Sequence, residues 1–450
     1  MLEVVVVGGD ACGASAASSA KRALRDGAHV VVLERQQWTS YAACGIPYWM
    51  AGHVDGPEAL VARSPQEHRD NGLDVRTGWE ATEIDPQGRT VTAVELATGA
   101  EHELPFDHLV LATGATPIRP DLPGIDLPGV HGVQTLDDGL AILDSLADGV
   151  RRAAVVGAGY IGIEMAEALC QRGLTTTVVD LEPAPMSTLD PDMGALIAKA
   201  MAGMGIPYHG GAPVQALEAG QDGRVARVVT AEGSHDADVV ILGLGVRPNA
   251  ALAQAAGLPI GQRGGIRTDE RMQVLGHERI WAGGDCVEVR DRVTGRDLHV
   301  ALGTHANKHG RVIGTNIAGG DLVFPGVVGT AVSKLCELEV ARVGLRESEA
   351  RDLGFDVVAP RITASTRAHY FPGAGPIHVK VIAERGSGRM LGCQIVGQAG
   401  SGKRIDIAAA AIWNAMTVEE VTSMDLAYAP PFSPVWDPVQ IAARKATGLV

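Results

Sequence analysis

The chain has 450 residues and a formal charge of −15, which excludes broad electrostatic binding to nucleic acid or to an anionic membrane surface. At roughly 150 residues per domain the length allows about three domains with large cores. Its six cysteines, at positions 12, 44, 170, 286, 336 and 393, form neither a disulfide framework nor a metal-ligand spacing. They fit a reducing, cytoplasmic setting, with Cys170, Cys336 and Cys393 read as core thiols. No apolar run approaches the roughly 20 residues of a membrane span, and the run after Met1-Leu2-Glu3 is too short for a signal peptide.

The first predicted element is a buried strand, Val4 to Val7. A turn containing Gly8, Gly9 and Gly13 follows, then an Ala-rich helix from Ala14 to Arg25 and a second strand, His29 to Glu34. Just downstream stands Ser40-Tyr41-Ala42-Ala43-Cys44-Gly45-Ile46-Pro47-Tyr48. Position 39 is Thr, and the next cysteine is Cys170, so Cys44 lacks a neighbour for an internal disulfide. Its exchange partner is expected from outside the chain. An apolar strand from Leu109 leads through Ala112 and Thr113 to Gly114.

The strand, turn, helix, strand order then repeats. Ala153 to Val156 precedes Gly157-Ala158-Gly159-Tyr160-Ile161-Gly162, a helix through Arg172, and a strand from Thr175 to Asp180. Glycines at this spacing let a pyrophosphate approach backbone N–H groups at a helix N-terminus, where a Cβ would obstruct it. An acidic residue closing the second strand, Glu34 or Asp180, binds a ribose hydroxyl. Asp180 would repel a 2′-phosphate, so NADH is expected in preference to NADPH. In the first copy Asp10 replaces the middle glycine and is expected to point away from the pyrophosphate, with Cys12 a bystander. Val239 to Gly245 and Arg279 to Cys286 are further apolar strands that end in glycine. Asp285, after the latter, either accepts bonds from ribityl hydroxyls or caps a following helix. From about residue 326 the pattern changes to strands at 379–382 and 391–396 and a helix at 405–416.

These features resemble the flavoprotein disulfide reductases with two dinucleotide units. Cys44-Gly45-Ile46-Pro47-Tyr48, the run Ala301 to Arg311 and the run Tyr428 to Pro438 resemble their single-cysteine branch, which holds coenzyme A disulfide reductase, NADH oxidase and persulfide reductase. The resemblance implies an α/β fold with two Rossmann-like domains, one for FAD and one for NAD(P)H, and a C-terminal α+β dimerisation domain. The expected boundaries are 1–116 and 246–325 for a discontinuous FAD domain, 117–245 for the NAD(P)H domain and 326–450 for dimerisation.

For FAD it implies Gly8, Gly13, Glu34, Arg35, Ala112, Thr113, Gly114, Asp285, Ala301 and Thr304. For NAD it implies Gly157, Gly159, Tyr160, Gly162, Glu164, Asp180 and Gly245, with Tyr160 as an aromatic gate over the nicotinamide or simple packing. Ser15, Lys21, Arg22 and Arg69 are the expected substrate contacts, the basic ones facing coenzyme A phosphates or forming a solvated helix face. Cys44 is the expected redox centre, holding a mixed disulfide with coenzyme A. Tyr370 and Tyr428 are expected to reach it from a partner subunit of a homodimer, with His369 on the opposite side of a strand from Tyr370. Ala11 stands where peroxide- and oxygen-reducing relatives carry histidine. Reduction of coenzyme A disulfide or a related persulfide is therefore expected ahead of NADH oxidation by O2, or of electron transfer to a protein such as ferredoxin.

Overall fold

The computed structural model describes residues 1–146 and 149–450. Strand β1, Leu2–Val7, forms the centre of a five-stranded parallel sheet, with Val4, Val5 and Val6 no more than 1% exposed. A sheet strand covered on both faces needs such a continuous β-branched run. Helix α1, Ala11–Leu24, crosses to strand β2, Ala28–Glu34, which pairs with β1 on one side and with Asp74–Thr77 on the other. On the far side of β1 lie His108–Leu111 and then Ile280–Ala282. The final strand comes from 170 residues further along the chain, so residues between the two build something else.

That inserted segment is a second five-stranded parallel sheet, in which four strands repeat the order of the first and the fifth comes from ahead of them in the chain, not from after them. Arg152–Val156 is central, Thr175–Val179 and Tyr208–His209 extend one side, and Val239–Leu242 and Val130–His131 the other. Each unit also carries a three-stranded antiparallel meander, at 79–105 in the first and 214–236 in the second. Two short antiparallel strands, Ala115–Pro117 and Val246–Pro248, pair where the chain enters and leaves the insertion.

A helix at Gly303–Ile317 packs across α1 at backbone contact distance. A Cβ at Gly310 would lie 2.3 Å from the Cys12 carbonyl oxygen, and one at Gly314 would lie 2.4 Å from that of Ala16. Small residues on both helices therefore set the approach, and Cys12 is confined there as a buried packing thiol.

The C-terminal unit is a six-stranded sheet built on Leu338–Gly344, Met390–Gly397 and Pro376–Glu384, covered by helices Ile405–Trp413, Val418–Ser423 and Pro438–Thr447. The helix expected at 405–416 stops at Trp413, because Ala415 takes a φ of 54° and Thr417 opens a new capping box. Lys380, only 7% exposed, joins this unit to the inserted one. Its ammonium lies 3.1 Å from Asp190, 3.0 Å from Asp192 and 3.0 Å from Glu347.

Candidate active site

A cleft of about 2540 Å³ runs between the first unit, the inserted unit and the C-terminal sheet. Sites for one drug-sized ligand usually measure about 300–1,000 Å³, so this one has room for more than one cofactor-sized molecule. Gly8, Glu34, Arg35, Ala112, Thr113, Gly114, Asp285, Ala301 and Thr304 line it from the first unit, and Gly159, Tyr160, Glu164 and Gly245 from the insertion. Cys44, Ser15 and Arg22 line it as well.

The glycine turns are made by backbone crossing backbone. A Cβ at Gly13 would sit 1.9 Å from the Gly8 carbonyl oxygen, and one at Gly162 would sit 2.0 Å from that of Gly157. Gly8 and Gly157 have φ of 104° and 97°, in the region that favours glycine. Gly13, Gly157 and Gly162 therefore lie behind the cleft wall and shape it. The acidic strand ends are equivalent too. Glu34 accepts from the Gly9 N–H at 2.7 Å and the Gln36 N–H at 2.8 Å; Asp180 accepts from Ala158 at 2.5 Å and Glu182 at 3.0 Å. Both turns, with a helix N-terminus and an anchored carboxylate beside each, fit a dinucleotide.

Asp10 makes the first turn different. Its Oδ1 accepts from the Tyr41 N–H at 3.0 Å, so the carboxyl faces the Cys44 loop. Burial raises its pKa to about 7, with Glu34 and Asp285 adding negative field. Cys44 lies in a 3₁₀ turn, Ala43–Gly45, that runs into helix α2, Ile46–Met50, whose Ile46, Trp49 and Met50 are buried. The thiol itself is exposed. Burial by the surrounding walls pushes its pKa up, and Glu164 and Asp285 push it further. The leading charges on the thiol are thus carboxylates, and thiolate formation is helped by positive charge bound beside the sulfur.

Glu164 is held by the Ser333 hydroxyl at 2.6 Å, a bond from the C-terminal unit to the inserted helix, and its own pKa is raised by burial. Tyr160 lies 3.4 Å from the Thr188 hydroxyl. The Thr113 hydroxyl donates to the Asn249 carbonyl at 2.6 Å, locking the entry strand of the insertion to its exit. Arg35 reaches Glu80 at 3.5 Å. Asp285 is followed by a turn, so it caps no helix; burial raises its pKa, and it faces the cleft.

Four expectations need correction. Lys21 does not reach the cleft: its ammonium donates to the Ala28 carbonyl at 3.1 Å, across the C-terminal end of its own helix. Arg69 likewise donates to the Val75 carbonyl at 3.0 Å, leaving Arg22 as the one of the three on the cleft wall. His369 and Tyr370 do not alternate along a strand, because they sit in a turn with their rings 5.5 Å apart. Cys336 is no core thiol; it is exposed at a hairpin tip with a φ of 52°.

Tyr370 and Tyr428 are 66% and 47% exposed and do not line the cleft of their own chain. They lie together, since partial desolvation and the Tyr370 phenol raise the Tyr428 pKa. Arg63, Lys308 and Arg311 line the cleft and were not singled out from the sequence. Thr304, Lys308 and Arg311 stand four and three residues apart, on one helix face, a signal that was available. Nothing marked Arg63, which lies in a loop.

The profile of the pyridine nucleotide-disulphide oxidoreductases matches residues 2–310, and that of their dimerisation domain matches residues 330–438. The chain belongs to this family. With membership come FAD and NAD(P)H as cofactors and an oxidoreductase activity. The NAD(P)H coenzyme A polysulfide/persulfide reductase of Pyrococcus horikoshii is 39% identical over 447 residues, 98% of each chain. An NADH oxidase of Methanocaldococcus jannaschii is 37% identical over 99% of this chain and 98% of its own. The solved NAD-dependent persulfide reductase of A. fulgidus superposes with a TM-score of 0.96 at 38% identity, over all of this chain and 83% of that one. Among the described residues no helix is long and apolar enough to cross a membrane.

Proposed function

We propose that this oxidoreductase spends NADH to reduce coenzyme A disulfide, or a persulfide of coenzyme A, at Cys44. The observation that carries the reading is the placement of one exposed thiol, Cys44, in a cleft shared by both glycine-turn units, where the other lining cysteine among the described residues, Cys12, is buried. A single thiol opens a disulfide by exchange. The Cys44 thiolate attacks one sulfur of RS–SR, forming a Cys44–S–SR bond and releasing RS⁻. Bound FAD supplies the relay by which two electrons from NADH reach that mixed disulfide, so the second RSH leaves and the Cys44 thiolate returns.

Arg22, Arg63, Lys308 and Arg311 give the acidic chain a local basic lining suited to coenzyme A phosphates. Asp180 and the neighbouring Glu182 make the second strand end anionic, which favours NADH over NADPH. The exposed Tyr370 and Tyr428 serve as hydrogen-bond donors to the leaving thiolate of a second copy in a homodimer, because a phenol remains protonated at neutral pH. Six unpaired thiols suit a cytoplasmic enzyme.

The test is anaerobic NADH oxidation with coenzyme A disulfide as sole acceptor, counting released thiol. Two thiols per NADH are expected, with Cys44→Ser removing thiol release at least about 10³-fold, as loss of a covalent nucleophile does. Turnover that waits for air, or that survives Cys44→Ser, overturns the reading in favour of oxygen reduction or electron transfer to a protein.

A further inference from the structure

Arg404 is 9% exposed and Asp437 7%, and together they form a buried ion pair beneath the most exposed aromatic surface of the C-terminal unit. The Arg404 Nε donates to Asp437 Oδ2 at 3.0 Å, and Nη1 donates to the Gly400 carbonyl. The Nη2 nitrogen donates twice, to the Thr366 carbonyl at 2.6 Å and to the Phe432 carbonyl at 2.6 Å. Thr366 lies four residues before Tyr370, and Phe432 four residues after Tyr428. One guanidinium nitrogen thus bridges both tyrosine-bearing segments. The Ala368 N–H, which donates to the Pro430 carbonyl at 3.2 Å, is their only other cross-link in the main-chain hydrogen bonding of the described residues.

Asp437 extends the clamp. Its Oδ1 accepts from the Val439 N–H at 2.9 Å, starting the C-terminal helix, and its Oδ2 accepts from the Ser433 hydroxyl at 3.4 Å. A buried ion pair of this kind is weak evidence for stability, since well-packed apolar residues of the same volume often do as well. What an apolar pair cannot do is fix two carbonyls from two segments at hydrogen-bond distance. Lysine does it less well, because its compact ammonium has three donors where the planar guanidinium fork reaches Asp437, Gly400, Thr366 and Phe432 together.

We propose that Arg404 is a positioning residue that holds Tyr370 and Tyr428 in the one relative arrangement that serves Cys44 of a second copy. This rests on the reading of those tyrosines given above. Arg404 does not line the cleft, and it acts through the backbone of the two segments. A misplacement of about 1 Å in a donor costs up to roughly 10²-fold in rate.

The experiment compares Arg404→Met, Arg404→Lys and Tyr370→Phe/Tyr428→Phe in the FAD-loaded enzyme, with amide hydrogen exchange and rapid-mixing kinetics on each. Arg404→Met is expected to speed exchange across 366–375 and 428–437, to slow thiol release roughly 10- to 100-fold, and to leave the rate of flavin reduction by NADH within about twofold of native. Arg404→Lys falls between. Should Arg404→Met not fold, Asp437→Asn, which loosens the same clamp, takes its place. Equal slowing of both half-reactions, or unchanged exchange and thiol release, overturns the proposal. The outcomes separate it from the tyrosine reading. If the phenylalanine variant releases thiol at the native rate, the tyrosine reading fails and this proposal with it. If the phenylalanine variant is slow and Arg404→Met is not, only the proposal about Arg404 fails.

Discussion

The two glycine-turn units share the order of four parallel strands, turn conformation and carboxylate anchoring, and differ in what the middle residue of the turn does. In the second unit Gly159 leaves the turn open toward the cleft. In the first, Asp10 fills that position and binds the Tyr41 N–H, tying the turn to the loop that carries Cys44. Where backbone meets backbone, only glycine fits and both units keep it. Where a side chain has room, the first unit has a link to the loop that carries Cys44, and the second has none at its Gly159.

Breaking the shared part is expected to have the largest effect, and a different one in each unit. Gly13→Ala and Gly162→Ala both force a methyl within 2.0 Å of a carbonyl oxygen. Overpacking of that kind costs about 1–3 kcal/mol. Gly162→Ala is expected to raise the KM for NADH roughly 10-fold or more with flavin content unchanged, and Gly13→Ala to lower flavin content on purification. Spectra and steady-state kinetics on the two variants check this; the reverse pattern would exchange the cofactors of the units.

A smaller effect sharpens the contrast at the sulfur. Glu164 belongs to the second unit yet raises the pKa of Cys44 in the first. Glu164→Gln removes a negative charge, so the thiolate becomes less costly and the midpoint of Cys44 alkylation against pH is expected to fall. An unmoved midpoint would show that the two units are electrostatically independent at this point.

The smallest effect isolates Asp10. Its folded pKa stands at about 7 against an ordinary 3.8, so the unfolded chain loses its proton first as pH rises. Its contribution to stability is therefore fully present at low pH and is lost between 3.8 and about 7. Asp10→Asn keeps an acceptor for Tyr41 and is expected to flatten the melting temperature across that interval; an unchanged slope would place the titration elsewhere.

The strands and both glycine turns were legible in the sequence because period and composition are local properties. Cys44 was legible because its neighbours were distinctive. Which basic residue faces the cleft was not, since Lys21 and Arg22 are adjacent on one helix and point about 100° apart. The choice falls to the Gly303–Ile317 helix crossing α1, a contact between residues almost 300 positions apart in the chain. Of the two readings of Asp285, the helix cap fails because the chain makes a turn there. Cys336 reads as a core thiol, but the strand ends at Leu335 and leaves it on the tip.

The same crossing orders events during synthesis. Strand Ile280–Ala282 and the Gly303–Ile317 helix complete the first sheet, so the N-terminal unit cannot close until more than 300 residues have left the ribosome. The inserted unit has all five strands of its parallel sheet between residues 130 and 242. Domains fold as units when their last element emerges. The segment made first therefore finishes second, and for that interval the loop bearing Cys44 lies beside an incomplete sheet. A thiol in that position is open to disulfide exchange before the cleft around it exists.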